Sequence, residues 1–198
     1  MGRMGRTVTA ARGLLAGLAA VLMLASPATR PLAGAALEGE KTVYLVANGG
    51  EELAVGTFWF TPRDGGASYT LKIDDGKFSD QFLSMRPFKC LEAGEQTVCY
   101  LPYPHPLRRQ VSADDLTDLE YDLLFLHKAA GEYGINFWNG IYYELSLTPD
   151  GAVKGELKET DMNELASPPT EPYGRLIGPE NLADADLAAH RFPTLIIR

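Results

Sequence analysis

The sequence predicts a mainly β fold: an antiparallel meander that forms a small barrel or sandwich, with one short helix and a proline-rich C-terminal segment wrapped over it. Apolar and polar residues alternate cleanly over 67–74, which is typical of an antiparallel strand with one buried face. Two further alternating segments, 141–148 and 153–158, are joined by a Thr-Pro-Asp-Gly turn. Turn signals rich in Gly, Pro and Asp recur at near-regular intervals, as they do in all-β sandwiches and barrels.

The N-terminal segment predicts a secretory signal peptide over residues 1–35. Residues 1–13 contain arginines and no acid, residues 14–25 are apolar, and Ala33-Gly34-Ala35 suits signal peptidase. A membrane-spanning helix needs about 20 apolar residues, so the short run favours cleavage near Ala35/Ala36 over a retained anchor. We therefore expect a periplasmic or secreted protein with a single mainly β domain over 36–198.

The charge of the chain restricts its partners. Residues 1–35 hold four arginines and no carboxylate, so their removal changes the formal net charge from −8 to −12. Such an acidic surface repels polyanions, and neither nucleic acid nor an anionic membrane is an expected partner. A small molecule or an envelope protein fits better, and no membrane span is expected after cleavage.

The first strands follow from β-branched and aromatic runs bounded by turn residues. Asn48-Gly49-Gly50 ends the first run, the Pro62–Gly66 stretch is a strong turn, and Asp75-Gly76 is a hairpin-type turn. These signals predict strands at 42–47, 53–61, 67–74 and 77–85.

The two cysteines of the chain, Cys90 and Cys99, have one intramolecular pairing available in an oxidising compartment. A turn signal lies midway between them, so we predict a hairpin of 86–91 against 96–101, cross-linked by a disulfide. A redox-active pair is the alternative, but the C-x-x-C spacing typical of such pairs is missing.

The segment after the hairpin interrupts the meander. Three prolines within 102–106 exclude a central strand. Ser112 is a candidate cap for a short helix that ends before Glu120. An apolar period of two over 120–127 then favours a strand there, with a helix as the open alternative. The last segment, 193–197, is apolar enough to dock as an edge strand.

Sequence motifs give no reaction. The chain has no G-x-S-x-G, no H-E-x-x-H, no phosphate-binding glycine loop and no dinucleotide fingerprint, so no cofactor is expected. The histidines, His105, His127 and His190, lie far apart in the sequence, and none has a second His or Cys at ligand spacing. A zinc site needs three or four ligands held close together, so no metal site is expected.

A dense acidic run lies at 114–122 and consists of Asp114, Asp115, Asp118, Glu120 and Asp122. A calcium site or a catalytic carboxylate pair is one interpretation. The favoured interpretation is a capped, solvated helix start followed by a strand, because the residue order of a calcium loop is absent.

Aromatic and basic residues supply the candidate ligand contacts. Segment 133–143 is rich in aromatic residues and asparagine, a composition that fills a core more often than it binds a ligand. If it binds one, the predicted barrel mouth includes Trp59, Trp138, Tyr142 and Arg108. The basic residues of this part of the chain either converge on an anion or pair with surface acids, the latter being favoured; they are Arg86, Lys89, Arg108 and Arg109.

Four strings across 81–145 carry a family resemblance: QFLSMRPFKCLE, CYLPYPHPLRR, SADDLTDLEYDLLFLHK and YGINFWNGIYYEL. They resemble a family of exported periplasmic proteins of Gram-negative bacteria whose activity is not established. The resemblance implies export and brings no catalytic residue, cofactor or substrate. The predicted architecture is also similar to lipocalin-type folds, but fold alone does not fix function.

Together these observations favour a non-catalytic binding module over an enzyme. The expected ligand is a small apolar or amphipathic molecule or an envelope protein partner. The alternative is an envelope hydrolase that uses carboxylates among Asp115, Asp118 and Glu120.

Overall fold

A computed structural model of the chain describes residues 1–2, 37–84 and 86–198. The predicted signal peptide and its cleavage site fall on residues 3–36, which lie outside the described residues. The described chain contains one α-helix, α1 Thr117–Asp122. Its strands are β1 Gly39–Val46, β2 Glu52–Arg63, β3 Gly66–Ile73, β4 Ser79–Phe82, β5 Pro87–Ala93, β6 Gln96–Tyr100, β7 Gln110–Val111, β8 Phe125–Ala129, β9 Gly140–Leu147, β10 Val153–Thr160, β11 Ala183–Asp184 and β12 Thr194–Ile197.

The strands form one antiparallel sheet in the order β4-β5-β6-β8-β9-β10-β12-β1-β2-β3-β7, with β11 paired to β10. The mainly β antiparallel prediction is therefore confirmed. The sheet does not close into a barrel, because β4 and β7 are its edges and do not pair with each other. A single buried cluster nevertheless contains side chains from near both edges, including Leu91 of β5 and Tyr69 of β3. The sheet therefore curves around this inner core.

A second core lies on the opposite face of β5, β6, β8 and β9. It is covered by the proline-rich stretch after β6 and by the C-terminal wrap, residues 163–182. The successive tyrosines of β9 illustrate the division: Tyr143 belongs to the inner core and Tyr142 to the second core. The hydroxyl of Tyr121 donates to the carbonyl of Ile177 at 3.1 Å and accepts its N–H at 2.9 Å, which docks the wrap on α1.

The disulfide hairpin is confirmed. Cys90 of β5 lies directly opposite Cys99 of β6 and is bonded to it, with both residues buried in the second core. Gly94 makes the connecting turn possible, because its φ of +72° lies in the left-handed region that side chains disfavour. In the chain-entropy description, closing such a loop stabilises the fold by about 2.5 kcal/mol.

The most distinct hairpin of the sequence is also confirmed, since β9 pairs with β10 along its whole length from Gly140 to Leu147. The three strands predicted at 42–47, 53–61 and 67–74 correspond to β1, β2 and β3. The strand predicted at 77–85 is shorter, because a turn of 3-10 helix occupies Asp75–Lys77 and β4 covers only Ser79–Phe82.

The prediction for 112–127 is wrong in part. Ser112 caps a turn by accepting the N–H of Asp114, whereas the helix begins only at Thr117, whose N–H donates to Asp115. The helix includes Glu120, and the next strand begins at Phe125. The apolar period of two was misleading because side chains here are buried on both sides, in the inner and second cores.

The predicted edge strand near the C-terminus is a central strand. Strand β12 pairs with β10 on one side and with β1 on the other. The sequence predicted strands at the positions of β1 and β10, but it did not predict that β12 lies between them.

Candidate functional site

A cleft of about 810 Å³ lies at one end of the curved sheet. Three chain segments meet there: the β1–β2 turn, the β5–β6 turn and the segment 188–192. The side chains that matter for its chemistry are Glu51, Glu52, Leu91, Glu92, Glu95 and His190.

Side chains of neighbouring strands and turns hold the segment 188–192 in place. Asn48 Nδ2 donates to the carbonyl of His190 at 2.9 Å. Gln96 Oε1 accepts the N–H of Arg191 at 3.1 Å. The hydroxyl of Tyr143 donates to the carbonyl of Phe192 at 2.8 Å from within the core. The cleft wall is therefore fixed by long-range hydrogen bonds.

The cleft has an apolar side and an acidic rim. Leu91 and Phe192 are buried members of the inner core that also line the cleft. Four glutamates line it against two cations, Lys77 and Arg191. Arg191 forms an ion pair with Glu51 and Arg198 with Glu52, so two of the four glutamates are left without an ion pair among the described residues.

A group of three side chains, the histidine–glutamate cluster, adjoins the cleft and consists of His127, Glu159 and His190. His190 Nε2 lies 2.9 Å from Glu159 Oε1, and the rings of the two histidines are 4.7 Å apart at 80°. Gln96 Nε2 contacts His127 Nδ1 at 3.3 Å. Burial and the neighbouring His190 lower the pKa of His127 below its ordinary value.

His190 is the buried member of the cluster, with its side chain only 2% exposed. Its Nδ1 has no hydrogen-bond partner among the described residues. Buried polar atoms without partners are uncommon in folded proteins, so this nitrogen requires an explanation.

Sequence distance concealed this cluster. His127 follows Phe125 of β8 by two residues, and Glu159 follows Leu157 of β10 by two. Because strand side chains alternate between faces, both polar residues continue the core-facing side of their strands. A titratable residue at a core-facing position was the available signal, but it does not reveal that His127 and Glu159 lie close together in space.

The predicted ligand-binding aromatic residues are not gathered at the cleft, since none of them lines it. Trp59 lies on the outer face of β2, where its Nε1 donates to Glu40 Oε2 at 3.0 Å. Trp138 is 68% exposed in the loop before β9. Tyr142 is buried beneath the C-terminal wrap. Their role in binding remains a prediction.

The basic residues also have separate partners. Arg108 lies 5.1 Å from the ring centre of Tyr173 and does not line the cleft. Lys89 pairs with Asp80 at 3.0 Å, and Arg109 contacts the carboxylate described next. These contacts favour the surface-pairing interpretation of the basic residues over a common anion site.

Two carboxylates of the acidic run are buried at α1, not solvated as predicted. Asp122 Oδ2 accepts the hydroxyl of Tyr69 at 2.9 Å and Arg109 Nε at 3.3 Å. The carbonyl of Asp122 accepts the hydroxyl of Tyr100 at 3.2 Å. Burial raises the pKa of Asp122 above its ordinary value, although the hydrogen bonds from Tyr69 and Arg109 oppose this rise.

Glu120 precedes Asp122 by two residues on α1, and both of its carboxylate oxygens accept hydrogen bonds. Oε1 accepts the N–H of Leu145 at 2.8 Å, and Oε2 accepts the hydroxyl of Tyr142. Burial raises the pKa of Glu120 above its ordinary value. We call Glu120, Asp122 and their tyrosine partners, Tyr69, Tyr100 and Tyr142, the carboxylate–tyrosine cluster.

The remaining acids of the run lie at the surface. Asp115 pairs with Arg175 at 2.7 Å, and Asp118 accepts the N–H of Gln110 at 3.2 Å. Partial burial raises the pKa of Asp115, but hydrogen bonds from Thr117 and the Arg175 guanidinium hold it below its ordinary value. Asp115 and Glu120 line a second cavity of about 200 Å³.

Comparison with protein-family models, curated proteins and solved structures gives no match to this chain. The resemblance of 81–145 to an exported family therefore remains a prediction. In the described part of the chain, no helix is both long and apolar enough to cross a bilayer.

Proposed function

We propose that the protein is a non-catalytic binding module of the bacterial envelope that holds a small amphipathic molecule in the cleft. The observation that carries this proposal is the cleft of about 810 Å³, with its apolar side and acidic rim. Pockets for small ligands in proteins are about 300–1,000 Å³, largely apolar, with a few polar groups that orient the ligand. These dimensions favour a small molecule over an envelope protein as the occupant.

The rim favours a ligand with a positively charged head group. Glu92 and Glu95 are exposed at the cleft, and neither forms an ion pair within the described part of the chain. A cation placed between them gains Coulomb energy, whereas an anion is repelled. The apolar body of the ligand then lies against Leu91 and Phe192.

The experiment compares two probes of equal chain length, decyltrimethylammonium and decyl sulfate, as monomers in calorimetric titrations. We expect the cationic probe to bind more tightly. The double variant Glu92→Gln/Glu95→Gln weakens its binding about fivefold, because two exposed charge interactions are lost. Glu171→Gln, an exposed acid outside the cleft, is the matched control and leaves the affinity unchanged.

Failure of both probes to bind contradicts the proposal, and so does equal binding of the anionic probe. If Glu171→Gln weakens binding of the cationic probe as much as the double variant does, the effect comes from the net charge of the protein and not from the cleft.

The alternative, an envelope hydrolase using Asp115, Asp118 and Glu120, is less favoured. Both oxygens of Glu120 accept hydrogen bonds from the chain, which leaves the carboxylate committed to packing. The cavity shared by Asp115 and Glu120 is about a quarter of the cleft's volume, at about 200 Å³ against about 810 Å³. Turnover of an envelope substrate that is lost in Asp115→Asn but kept in Glu92→Gln/Glu95→Gln reverses this preference.

A further inference from the structure

We propose that His127, Glu159 and His190 bind a divalent transition metal ion of the class that Zn²⁺ represents, beside the cleft. This metal site goes beyond the proposed function, which requires no metal.

The three side chains present a metal-ligand set within the reach of one ion. One ring nitrogen of each histidine and one carboxylate oxygen lie within 4.8 Å of one another. Two ligands of a tetrahedral Zn²⁺ ion lie about 3.3 Å apart, given metal–ligand distances of about 2.0–2.2 Å. His190 Nε2 and Glu159 Oε1 are already 2.9 Å apart, so small side-chain movements are sufficient.

The donors come from segments that the fold holds firmly. His127 and Glu159 extend from β8 and β10, both of which pair with β9. His190 is fixed through its carbonyl, which accepts Asn48 Nδ2 at 2.9 Å. A site built on such a scaffold loses little conformational entropy when the ion binds.

The ring of His190 has one nitrogen that the described residues do not use. His190 is buried, and its Nδ1 has no hydrogen-bond partner among the described residues. The surrounding hydrogen bonds therefore do not use the full bonding capacity of this ring.

The donor set selects the class of ion. Two imidazoles and one carboxylate suit Zn²⁺ and its neighbours, whereas Ca²⁺ and Mg²⁺ require several oxygen ligands. With neutral histidines, the set carries one negative charge, which a divalent cation compensates. Three protein ligands leave a fourth position for water or a bound molecule, and His190 also lines the cleft.

The test is a calorimetric titration of Zn²⁺, Ca²⁺ and Mg²⁺ into the disulfide-bonded protein after removal of metal with a chelator. We expect one Zn²⁺ per chain and no comparable binding of Ca²⁺ or Mg²⁺. Glu159→Gln and, separately, His127→Asn each weaken Zn²⁺ binding by about tenfold or more. The matched control is His105→Asn, because His105 lies elsewhere, with its Nε2 donating to the carbonyl of Leu165 at 3.0 Å.

Circular dichroism without metal verifies that each variant is folded. We expect Glu159→Gln to fold, because the Glu159 side chain is 42% exposed. The proposal is overturned if the parent protein shows no saturable Zn²⁺ binding, if Ca²⁺ binds more tightly, or if both variants bind as the parent does. Equal loss in His105→Asn also overturns it. None of these outcomes affects the amphiphile proposal, whose probes are tested in the presence of a chelator.

Discussion

The curved sheet contains two clusters of titratable side chains that differ in how their polar atoms are partnered. In the carboxylate–tyrosine cluster, Glu120 and Asp122 accept hydrogen bonds from strand tyrosines and from the main chain. In the histidine–glutamate cluster, the buried His190 leaves Nδ1 without a partner among the described residues. The chain itself partners the side-chain oxygens of Glu120 and hydrogen-bonds Asp122, whereas the histidine–glutamate cluster keeps one ring nitrogen without a partner among the described residues.

This difference fits a structural role for the carboxylate–tyrosine cluster and the metal-binding role that we propose for the histidine–glutamate cluster. Asp122 joins Tyr69 of β3 to Tyr100 of β6, two strands that lie toward opposite edges of the open sheet. The helix therefore connects the sheet where strand pairing does not close it. The histidine–glutamate cluster lies at the cleft and makes no comparable connection between sheet edges.

The largest expected effect follows from breaking the connection at Asp122. Asp122→Ala leaves the buried hydroxyl of Tyr69 without its acceptor and Arg109 without its ion-pair partner. We expect the free energy of unfolding to fall by about 3 kcal/mol in urea titrations. Asp114→Ala, an exposed neighbour in the same acidic run, is the control. Equal losses in the two variants would show that Asp122 has no special role.

The second effect concerns the disulfide, because β6 connects the two clusters. Gln96 at one end of β6 contacts His127, and Tyr100 at the other contacts Asp122. Replacing both Cys90 and Cys99 by serine is expected to lower the free energy of unfolding by about 2.5 kcal/mol in urea titrations. Zn²⁺ affinity is expected to persist, since neither cysteine belongs to the histidine–glutamate cluster. Unchanged stability would contradict the structural role of the bond.

The smallest effect is a pH dependence of the carboxylate–tyrosine cluster. Burial raises the pKa of Glu120 above its ordinary value of 4.5, so the folded state holds this proton more tightly than the unfolded state. The stability from this group is fully present below that ordinary value and is lost as pH rises through the raised pKa. Urea titrations across this range should show a weaker decline for Glu120→Gln, whereas Glu171→Gln should follow the parent. Parallel curves for parent and Glu120→Gln would refute the assignment.

Local sequence signals predicted the hairpins well. Turn residues between alternating segments located β9 and β10, and the two cysteines located the β5–β6 pairing. In each case the partners are close in sequence, so turn chemistry alone sets the register. The position of β12 between β10 and β1 depends on distant partners and was not predictable in the same way.

The two clusters could not be predicted from the sequence either, because their members are distant from one another along the chain. The sequence predicts Glu120 and Asp122 to be solvated, whereas in the fold each accepts a hydrogen bond from a tyrosine that is distant in sequence. His127 and Glu159 become neighbours of His190 only once the sheet order is known. An alternating pattern identifies the face of a strand, but it does not identify which strand lies beside it.

The difference between the two clusters is tested most directly by urea unfolding with and without Zn²⁺. At about 100 times the dissociation constant, Zn²⁺ should stabilise the parent by about 2.7 kcal/mol. Glu120→Gln should gain a similar amount, whereas Glu159→Gln should gain much less. Equal Zn²⁺ stabilisation of Glu159→Gln and the parent, or none in the parent, would contradict a ligand-binding role for the histidine–glutamate cluster.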